Sequence, residues 1–286
     1  MAAPVDVLRA VLADLGEESE EVDGLVAGLP PAAWRAPTPA PGWTVAHQIA
    51  HLAWTDRRAL LAATDPDAFR RETEEYVARE GGAGHFIDEA AQQGAALPHG
   101  ELLGRWRRGR SALADALAAV PAGVKLPWYG TAMSAASMAT ARLMETWAHG
   151  TDVADALGVR RVPTDRLRHI VRIGVRARDF AYAAHGLTPP AEPFRVEVTA
   201  PDGRIWAHGP QGAAQQVTGD ALDFCLLVTQ RAHRDDTGVR AEGAEADRWL
   251  GIAQAFAGPP GAGRPPGGRQ HPEAPARTRT SGEALP

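Results

Sequence analysis

The 286-residue sequence predicts a mainly α-helical protein that ends in a small α+β domain. Over the first two thirds of the chain, apolar residues recur at the spacing of one helix face. From Phe194 onward the spacing changes to alternation with period two, which is typical of a half-buried strand. We therefore expect a helical domain over residues 1–185 and an α+β domain over residues 186–257.

Four long helices are predicted in the first domain. The first ends before Pro30, and the second follows Thr44, a residue type that caps helix N-termini. The fourth follows Ser134 or Ser137 and ends at Gly158, a typical C-terminal cap. The long helices are predicted over about residues 5–26, 45–63, 101–120 and 134–157, with a fifth helix over 163–184 and one or two short ones over 67–95.

The α+β domain is predicted from a hairpin pattern. Phe194–Thr199 alternates between apolar and polar residues, Asp202-Gly203 supplies a turn, and Ile205–Ala207 returns as the second strand. A helix over 219–233, a short strand over 239–241 and a helix over 245–256 complete the domain. Residues 258–286 contain six Gly and seven Pro and are predicted to form a disordered tail, since they bury too little apolar surface to offset their ordering entropy.

Charge and composition narrow the function classes. The chain has 30 basic and 35 acidic residues, whereas a nucleic-acid binder needs a concentrated positive surface. It contains no apolar run of membrane-spanning length and no signal-peptide pattern, so we expect a cytoplasmic protein. The single cysteine, Cys225, excludes an internal disulfide and a Cys-rich zinc finger, and its apolar neighbours indicate a core position. Any metal must therefore be held by histidines and carboxylates.

Two predicted helices carry side chains of that kind. Glu145 and His149 are four residues apart, and Asp152 continues the same face one turn later. On the second helix, His47 and His51 are also four apart. If the two helices are neighbours, these side chains can share one ion, and three N/O ligands leave a position for water or substrate. The alternative is that each pair is an ordinary solvated i,i+4 pair, because the spacing alone is common.

The surrounding residues resemble a known family. The run from Pro37 to Trp54, with its Pro-Gly-Trp-Thr and His-Leu-Ala elements, is similar to the metal-binding segment of the mycothiol-dependent maleylpyruvate isomerase family. The stretch Ala141–Ala154 resembles the second ligand segment of that family, which belongs to the DinB-like superfamily. The resemblance implies a DinB-like antiparallel four-helix bundle and a zinc-type site formed by His51, Glu145 and His149.

Four further residues are weaker candidates. His47 lies outside the implied ligand set, and it is a surface residue, a neighbour of the ligands or a fourth ligand. Asp152 can orient His149 or simply lie on the helix surface. Arg142 can bind a substrate carboxylate or pair with Glu145, and Tyr129 can line a pocket or pack a loop. No other catalytic residue is assigned.

The resemblance also implies a chemistry. A Zn²⁺-like ion would activate a low-molecular-weight thiol, mycothiol in the family, for isomerisation or S-transfer on a small electrophilic substrate. The basic residues are Arg except for Lys125, which indicates a GC-rich genome and fits an actinobacterial, mycothiol-producing source. Two alternatives are a hydrolase that uses metal-activated water and a non-catalytic metal- or ligand-binding protein. We expect a monomer or a homodimer.

Overall fold

The computed structural model describes residues 4–78, 82–129, 131–258 and 260–267, and in these ranges the chain is mainly helical with a small sheet region, as predicted. No helix within these ranges combines the length and the apolarity that a membrane crossing requires. The helices are α1 Pro4–Val26, α2 Val45–Thr64, α3 Pro66–Ala78, α4 Gly82–Ala95, α5 His99–Ala119, α6 Ala135–Leu157, α7 Leu167–Arg176, α8 Arg178–Ala184, α9 Ala221–Val228 and α10 Ala244–Ile252. The strands are β1 Lys125–Leu126, β2 Met133–Ser134, β3 Phe194–Thr199, β4 Ile205–His208, β5 Gln215–Asp220 and β6 Arg240–Glu242.

The four long helices α1, α2, α5 and α6 begin and end within a few residues of their predicted bounds, because local caps set those bounds. Thr44 and His47 form a capping box at the start of α2. Ser134 accepts a hydrogen bond from the Ser137 backbone at the start of α6, and Gly158 ends that helix in the left-handed conformation, with φ 65°. Helix α2 packs against α5 and α6, and α1 packs against α6 and α5.

The C-terminal region differs from the prediction in its details. The predicted fifth helix is two helices, α7 and α8, which meet at Ala177. The predicted helix over 219–233 is shorter, because Asp220 ends strand β5 and Gln230 adopts a left-handed φ of 59°. The four-stranded sheet has the order β4-β3-β5-β6, in which β3 and β4 form the predicted hairpin and β5 pairs with β3 in parallel.

One hydrophobic cluster joins the sheet region to the long helices. It contains Leu143 and Trp147 of α6 together with Phe194 of β3 and Trp249 of α10, all of them buried. The division into two domains at residue 185 stays a prediction. Cys225 lies in this cluster fully buried, and burial raises the pKa of its thiol well above the usual value.

The beginning of the predicted tail contacts α6. Arg264 forms salt bridges with Asp152 at 2.7 Å and Asp155 at 2.8 Å, and the backbone N–H of Gly267 donates a hydrogen bond to Asp236. Residues 268–286, which make up most of the predicted disordered tail, lie outside the described residues. The prediction of disorder there stays a prediction.

A close approach of α1 and α6 gives a stability test. A Cβ added to Gly150 in α6 would lie 2.4 Å from Cγ2 of Val22, a buried, β-branched side chain that cannot easily move. We expect Gly150→Ala to lower the free energy of unfolding by about 1–2 kcal/mol, since overpacking outweighs the gain in helix propensity. Urea unfolding followed by circular dichroism measures this change.

Gly16 supplies the matched control, because a Cβ there would meet no atom within 4 Å. Gly16 lies within α1 and is exposed. We expect Gly16→Ala to raise the free energy of unfolding by about 0.5–1 kcal/mol through helix propensity alone. Equal effects of the two substitutions would contradict the close packing of α1 against α6.

Candidate metal centre

Helices α2 and α6 bring the three predicted ligands together. His51 projects from α2, and Glu145 and His149 project from α6, one helical turn apart. Glu145 Oε2 lies 3.4 Å from His51 Nε2 and 3.2 Å from His149 Nε2. The metal-ligating atoms of the three side chains all lie within 4.8 Å of one another. This is the set that the sequence and the resemblance indicated.

Polar contacts between α2 and α6 also show the relative direction of these two helices. Gln48 contacts His149, His51 contacts Glu145, and Asp56 pairs with Arg142. As the position on α2 advances from 48 to 56, its partner on α6 moves back from 149 to 142. The two helices therefore run antiparallel, which places the side chains of the cluster on facing helix surfaces.

Gln48 determines which nitrogen of His149 carries the proton. The Gln48 Nε2 group donates a hydrogen bond to Thr38 Oγ1 at 2.9 Å, and Thr38 Oγ1 in turn donates to the Trp43 carbonyl at 2.9 Å. The other polar atom of the Gln48 side chain is Oε1, which can only accept a hydrogen bond. It faces His149 Nδ1. His149 Nδ1 must therefore carry the proton, and Nε2 is left with a lone pair directed to the cluster.

Burial and mutual contact favour the metal-ligating charge states of Glu145 and His149. Burial alone would raise the pKa of Glu145, but the contacts of its carboxylate with the His149 and His51 imidazoles outweigh that effect and hold the pKa well below the usual value. Burial lowers the pKa of His149 to about 4, and the neighbouring His51 lowers it further, against the opposing effect of Glu145. An ionised carboxylate and a neutral imidazole are the forms that ligate divalent ions.

The donor set itself fits a divalent ion. Two imidazole nitrogens and one carboxylate oxygen suit Zn²⁺ and related first-row ions, and no thiolate is needed. His51 Nδ1 is buried and has no hydrogen-bond partner in the part of the chain that the structure describes. His51 thus reaches the cluster without the supporting contact that Gln48 gives to His149.

Tryptophan rings enclose the cluster. The Trp43 ring lies 5.3 Å from the His51 ring and 6.0 Å from the His149 ring, measured between centroids, and its N–H donates to Asp88. Trp54 lies 6.3 Å from the His51 ring on the same helix. The two imidazoles beneath these rings are buried, and burial strengthens the electrostatic contacts that they make.

His47 contacts the start of its own helix and helix α4. Its Nδ1 accepts a hydrogen bond from the Thr44 backbone at 3.2 Å, and its Nε2 lies 2.8 Å from Gln92 Oε1. The ring completes the cap of α2 and links this helix to α4, so both nitrogens are engaged.

The structure gives Arg142 and Asp152 partners other than those considered from the sequence. Arg142 is buried and donates to Asp56 at 2.9 Å instead of pairing with Glu145, because Asp56 lies across the helix interface without access to water. Asp152 does not orient His149; it is buried and pairs with Arg231 and Arg264. Gln48 contacts His149 in its place.

Tyr129 belongs to an aromatic cluster near α3. Its hydroxyl accepts a hydrogen bond from the buried Arg58 side chain at 3.0 Å, and its ring contacts Phe69 and Trp128. Burial raises the pKa of Tyr129. These contacts describe a packed loop, and Tyr129 is not among the residues that contact the three ligands.

Sequence reasoning missed three residues at this centre. Gln48 lies one turn before His51, and Trp43 lies in the Pro-Gly-Trp-Thr element. Nothing in the sequence around them indicates that they contact the histidines of the cluster. Arg231 follows α9, and its positive charge contributes to the lowered pKa of His149. Only the fold brings it near, through its 2.9 Å salt bridge with Asp152.

Family comparison agrees with this arrangement. The model of the mycothiol maleylpyruvate isomerase N-terminal domain matches residues 15–154, which include all three cluster residues. The chain belongs to the mycothiol-dependent maleylpyruvate isomerase family. Residues 190–239 match a second model, described as wyosine base formation, which covers β3 to α9 and none of the cluster residues.

Whole-chain comparisons extend the similarity over most of the protein. Two uncharacterized proteins from two strains of Mycobacterium tuberculosis are each 58% identical over 253 residues, which cover 88% of this chain and 97% of theirs. The crystal structure of a mycothiol-dependent maleylpyruvate isomerase superposes with a TM-score of 0.57 at 18% identity, covering 82% of this chain and 92% of that one. A histidine-to-alanine mutant of a mycothiol-dependent maleylpyruvate isomerase has the same TM-score at 15% identity and the same coverage. At these identities the two structures establish the fold of this family member.

The lowered pKa of His149 predicts a pH-dependent stability. In the unfolded chain this imidazole takes up a proton near its usual pKa of 6.5, whereas in the folded, metal-free protein it stays neutral down to about 4. The unfolded state therefore binds more protons between these values, and the free energy of unfolding must fall as the pH is lowered from 6.5 to 4. We expect His149→Gln to reduce this slope in chelator-treated protein, as measured by urea unfolding at several pH values. An unchanged slope would contradict the burial of a neutral imidazole.

Proposed function

We propose that this protein is a metal-dependent enzyme that uses a divalent, Zn²⁺-like ion to activate a low-molecular-weight thiol, mycothiol, for isomerisation or S-transfer on a small electrophilic substrate. The observation that carries the proposal is the convergence of His51 Nε2, Glu145 Oε2 and His149 Nε2 in one cluster, of which the two histidines are buried. Membership of the mycothiol-dependent maleylpyruvate isomerase family supports the choice of thiol and reaction. A bound divalent ion would lower the pKa of a coordinated thiol.

The residues of this chain have separate roles in that proposal. His51, Glu145 and His149 would hold the ion, and Glu145 would supply the one negative charge among the three. Gln48 keeps the Nδ1 proton of His149 in place, so that Nε2 stays available as a ligand. Trp43 covers the imidazoles and limits access of water, which protects a thiolate from protonation.

The state of Cys225 supports an external source of sulfur. This thiol is fully buried in the hydrophobic cluster, its pKa is well above the usual value, and its sulfur faces the Leu167 carbonyl. A thiol in this environment cannot form a thiolate at neutral pH. It is the only cysteine in the sequence, so a reactive sulfur would have to arrive as a small molecule.

We also propose that α1, α2, α5 and α6 form a DinB-like antiparallel four-helix bundle. The pairwise packing of these helices and the antiparallel contacts between α2 and α6 support this arrangement.

Metal analysis tests the three ligands. We expect about one divalent ion per chain in purified wild-type protein and a loss of most of it in the double variant His51→Ala, Glu145→Ala, because one donor cannot retain the ion. Elemental analysis after desalting measures the content. His185→Ala, which removes an exposed histidine outside the cluster, is the control. An unchanged metal content in the double variant would rule out this centre.

Thiol dependence separates the proposed reaction from hydrolysis. We expect metal-loaded protein to accelerate at least one of two reactions, the isomerisation of maleylpyruvate or the conjugation of monochlorobimane. Either acceleration should require mycothiol. Absorbance and fluorescence follow the two reactions. Turnover of an ester or amide without any thiol would instead favour metal-activated water, and a loaded protein inactive in every assay would favour a binding role.

The support that Gln48 gives to His149 predicts a graded effect on metal affinity. Gln48→Leu removes the acceptor for the Nδ1 proton, so we expect about 10–100-fold weaker metal binding. Gln48→Glu retains an acceptor at that position and should bind within a few-fold of wild type. Competition with a chromogenic chelator measures the affinities, and circular dichroism checks folding. Equal affinities of the Leu and Glu variants would contradict the role of Gln48.

A further inference from the structure

A second concave site lies on the side of α2 that faces α4 and α5. It is a groove of about 750 Å³, a volume in the usual range for small-molecule sites. Helix α2 contributes Ala50, Ala53 and Trp54 to its wall, whereas His51, Glu145 and His149 are not part of the lining. The groove thus shares no ligand residue with the candidate metal centre, although the Trp54 ring borders both.

The body of the groove is apolar and aromatic. Trp54 and Phe86 stand against each other at 5.7 Å between ring centroids, and Tyr76 stacks on Phe86 at 5.1 Å. Small side chains, Ala53 and Ala90, leave the space between the helices open. Such a surface binds the flat or aliphatic body of a ligand, since every apolar contact made there removes area from water.

Positive charge lines the same groove. Arg57 of α2 and Arg105 and Arg108 of α5 all contribute to its wall. Neither Arg57 nor Arg108 has an ion-pair partner among the residues that the structure describes, and Arg105 forms only an exposed i,i+4 pair with Glu101 at 2.7 Å. Exposed pairs of this kind are weak and readily exchanged.

The acidic lining is smaller. Glu89 is the one carboxylate of the described lining, and it accepts a hydrogen bond from the side chain of Gln93 at 3.1 Å. Three guanidinium groups against one carboxylate give the groove a positive character on a protein whose net charge is −5. The charge of the groove is therefore opposite to that of the whole chain.

We propose that this groove binds an amphipathic organic anion: a small molecule with an aromatic or aliphatic body and a carboxylate, sulfonate or phosphate group. The body lies on Trp54 and Phe86, and the anionic group pairs with Arg57 and Arg108, whose guanidinium groups form charge-assisted hydrogen bonds with such oxygens. Because the groove uses no residue of the metal cluster, binding does not require the ion.

The dimensions favour a small molecule over a macromolecule. The walls come from helices α2, α3, α4 and α5. Helices α2 and α4 approach each other closely at two of the lining residues, because a Cβ on Gly94 would lie 2.7 Å from the Ala50 Cβ. A nucleic acid would need a long positive stripe, whereas these arginines surround one cavity.

A pair of matched fluorescent probes tests the proposal on metal-free protein. 8-Anilinonaphthalene-1-sulfonate carries the anionic group, and N-phenyl-1-naphthylamine has the same ring system without it. We expect both to bind wild type at one saturable site. The double variant Arg57→Gln, Arg108→Gln should bind the sulfonate about tenfold or more weakly, while the neutral probe changes less than about twofold.

Two controls accompany this comparison. Arg9→Gln, Arg248→Gln removes the same charge from exposed positions outside the groove and should leave both affinities unchanged. Ala53→Leu, Ala90→Leu fills the groove and should abolish binding of both probes, with folding checked by thermal melting. If the two arginine double variants bind the sulfonate equally, or if wild type has no saturable site, the proposal is overturned. Neither result depends on the metal content, so the proposed function is tested separately.

Discussion

The contact between α2 and α6 is the constraint on which the rest of the structure depends, because it buries polar groups that must pair with each other. Three polar contacts between the two helices illustrate this: Gln48 with His149, His51 with Glu145, and Asp56 with Arg142. A buried polar group that loses its partner costs about 1–3 kcal/mol, and a buried charge costs more. A shift of one helix by a single turn would break all three contacts together. The same contacts therefore determine both the register of the two helices and the geometry of the candidate centre.

Other ionic contacts fix the elements around this pair. Glu18 of α1 is buried and accepts hydrogen bonds from Arg161 and Arg166, which precede α7. Asp152 at the end of α6 pairs with Arg231 of the sheet region and with Arg264 near the end of the described chain. Buried ion pairs are weak evidence for stability, but they specify which surfaces can meet. Here they attach α1 to the segment between α6 and α7, and they attach the sheet region and residues 260–267 to α6, the helix that carries two of the three ligands.

The sequence was most informative where a signal is local. Thr44, Ser134 and Gly158 act on backbone groups within one turn, so the ends of α2 and α6 could be predicted closely. The ligand pair on α6 follows from spacing along one helix, and its partner His51 was chosen through the family resemblance. The pairing of Asp56 with Arg142 could not be predicted, because it depends on the register between helices that are about 90 residues apart. Strand β5 was also missed, since Gln215–Asp220 has one large apolar residue and pairs in parallel with a distant strand.

The position of α2 explains why these polar residues are so constrained. This helix packs against α3, α4, α5 and α6, so it has no broad face that can release polar side chains to water. The buried polar residues on it consequently have specific partners, since Gln48 orients His149, His51 meets Glu145, and Arg58 binds Tyr129, Glu72 and Thr73. A helix of this kind is costly to fold, because burying a polar side chain contributes little net free energy even when it is paired. The paired polar contacts make the helix rigid. Ligand side chains on such a helix are therefore in position before any ion or substrate binds. The open groove lies on the side of α2 lined by small and aromatic residues, where the packing of this central helix leaves space for another molecule.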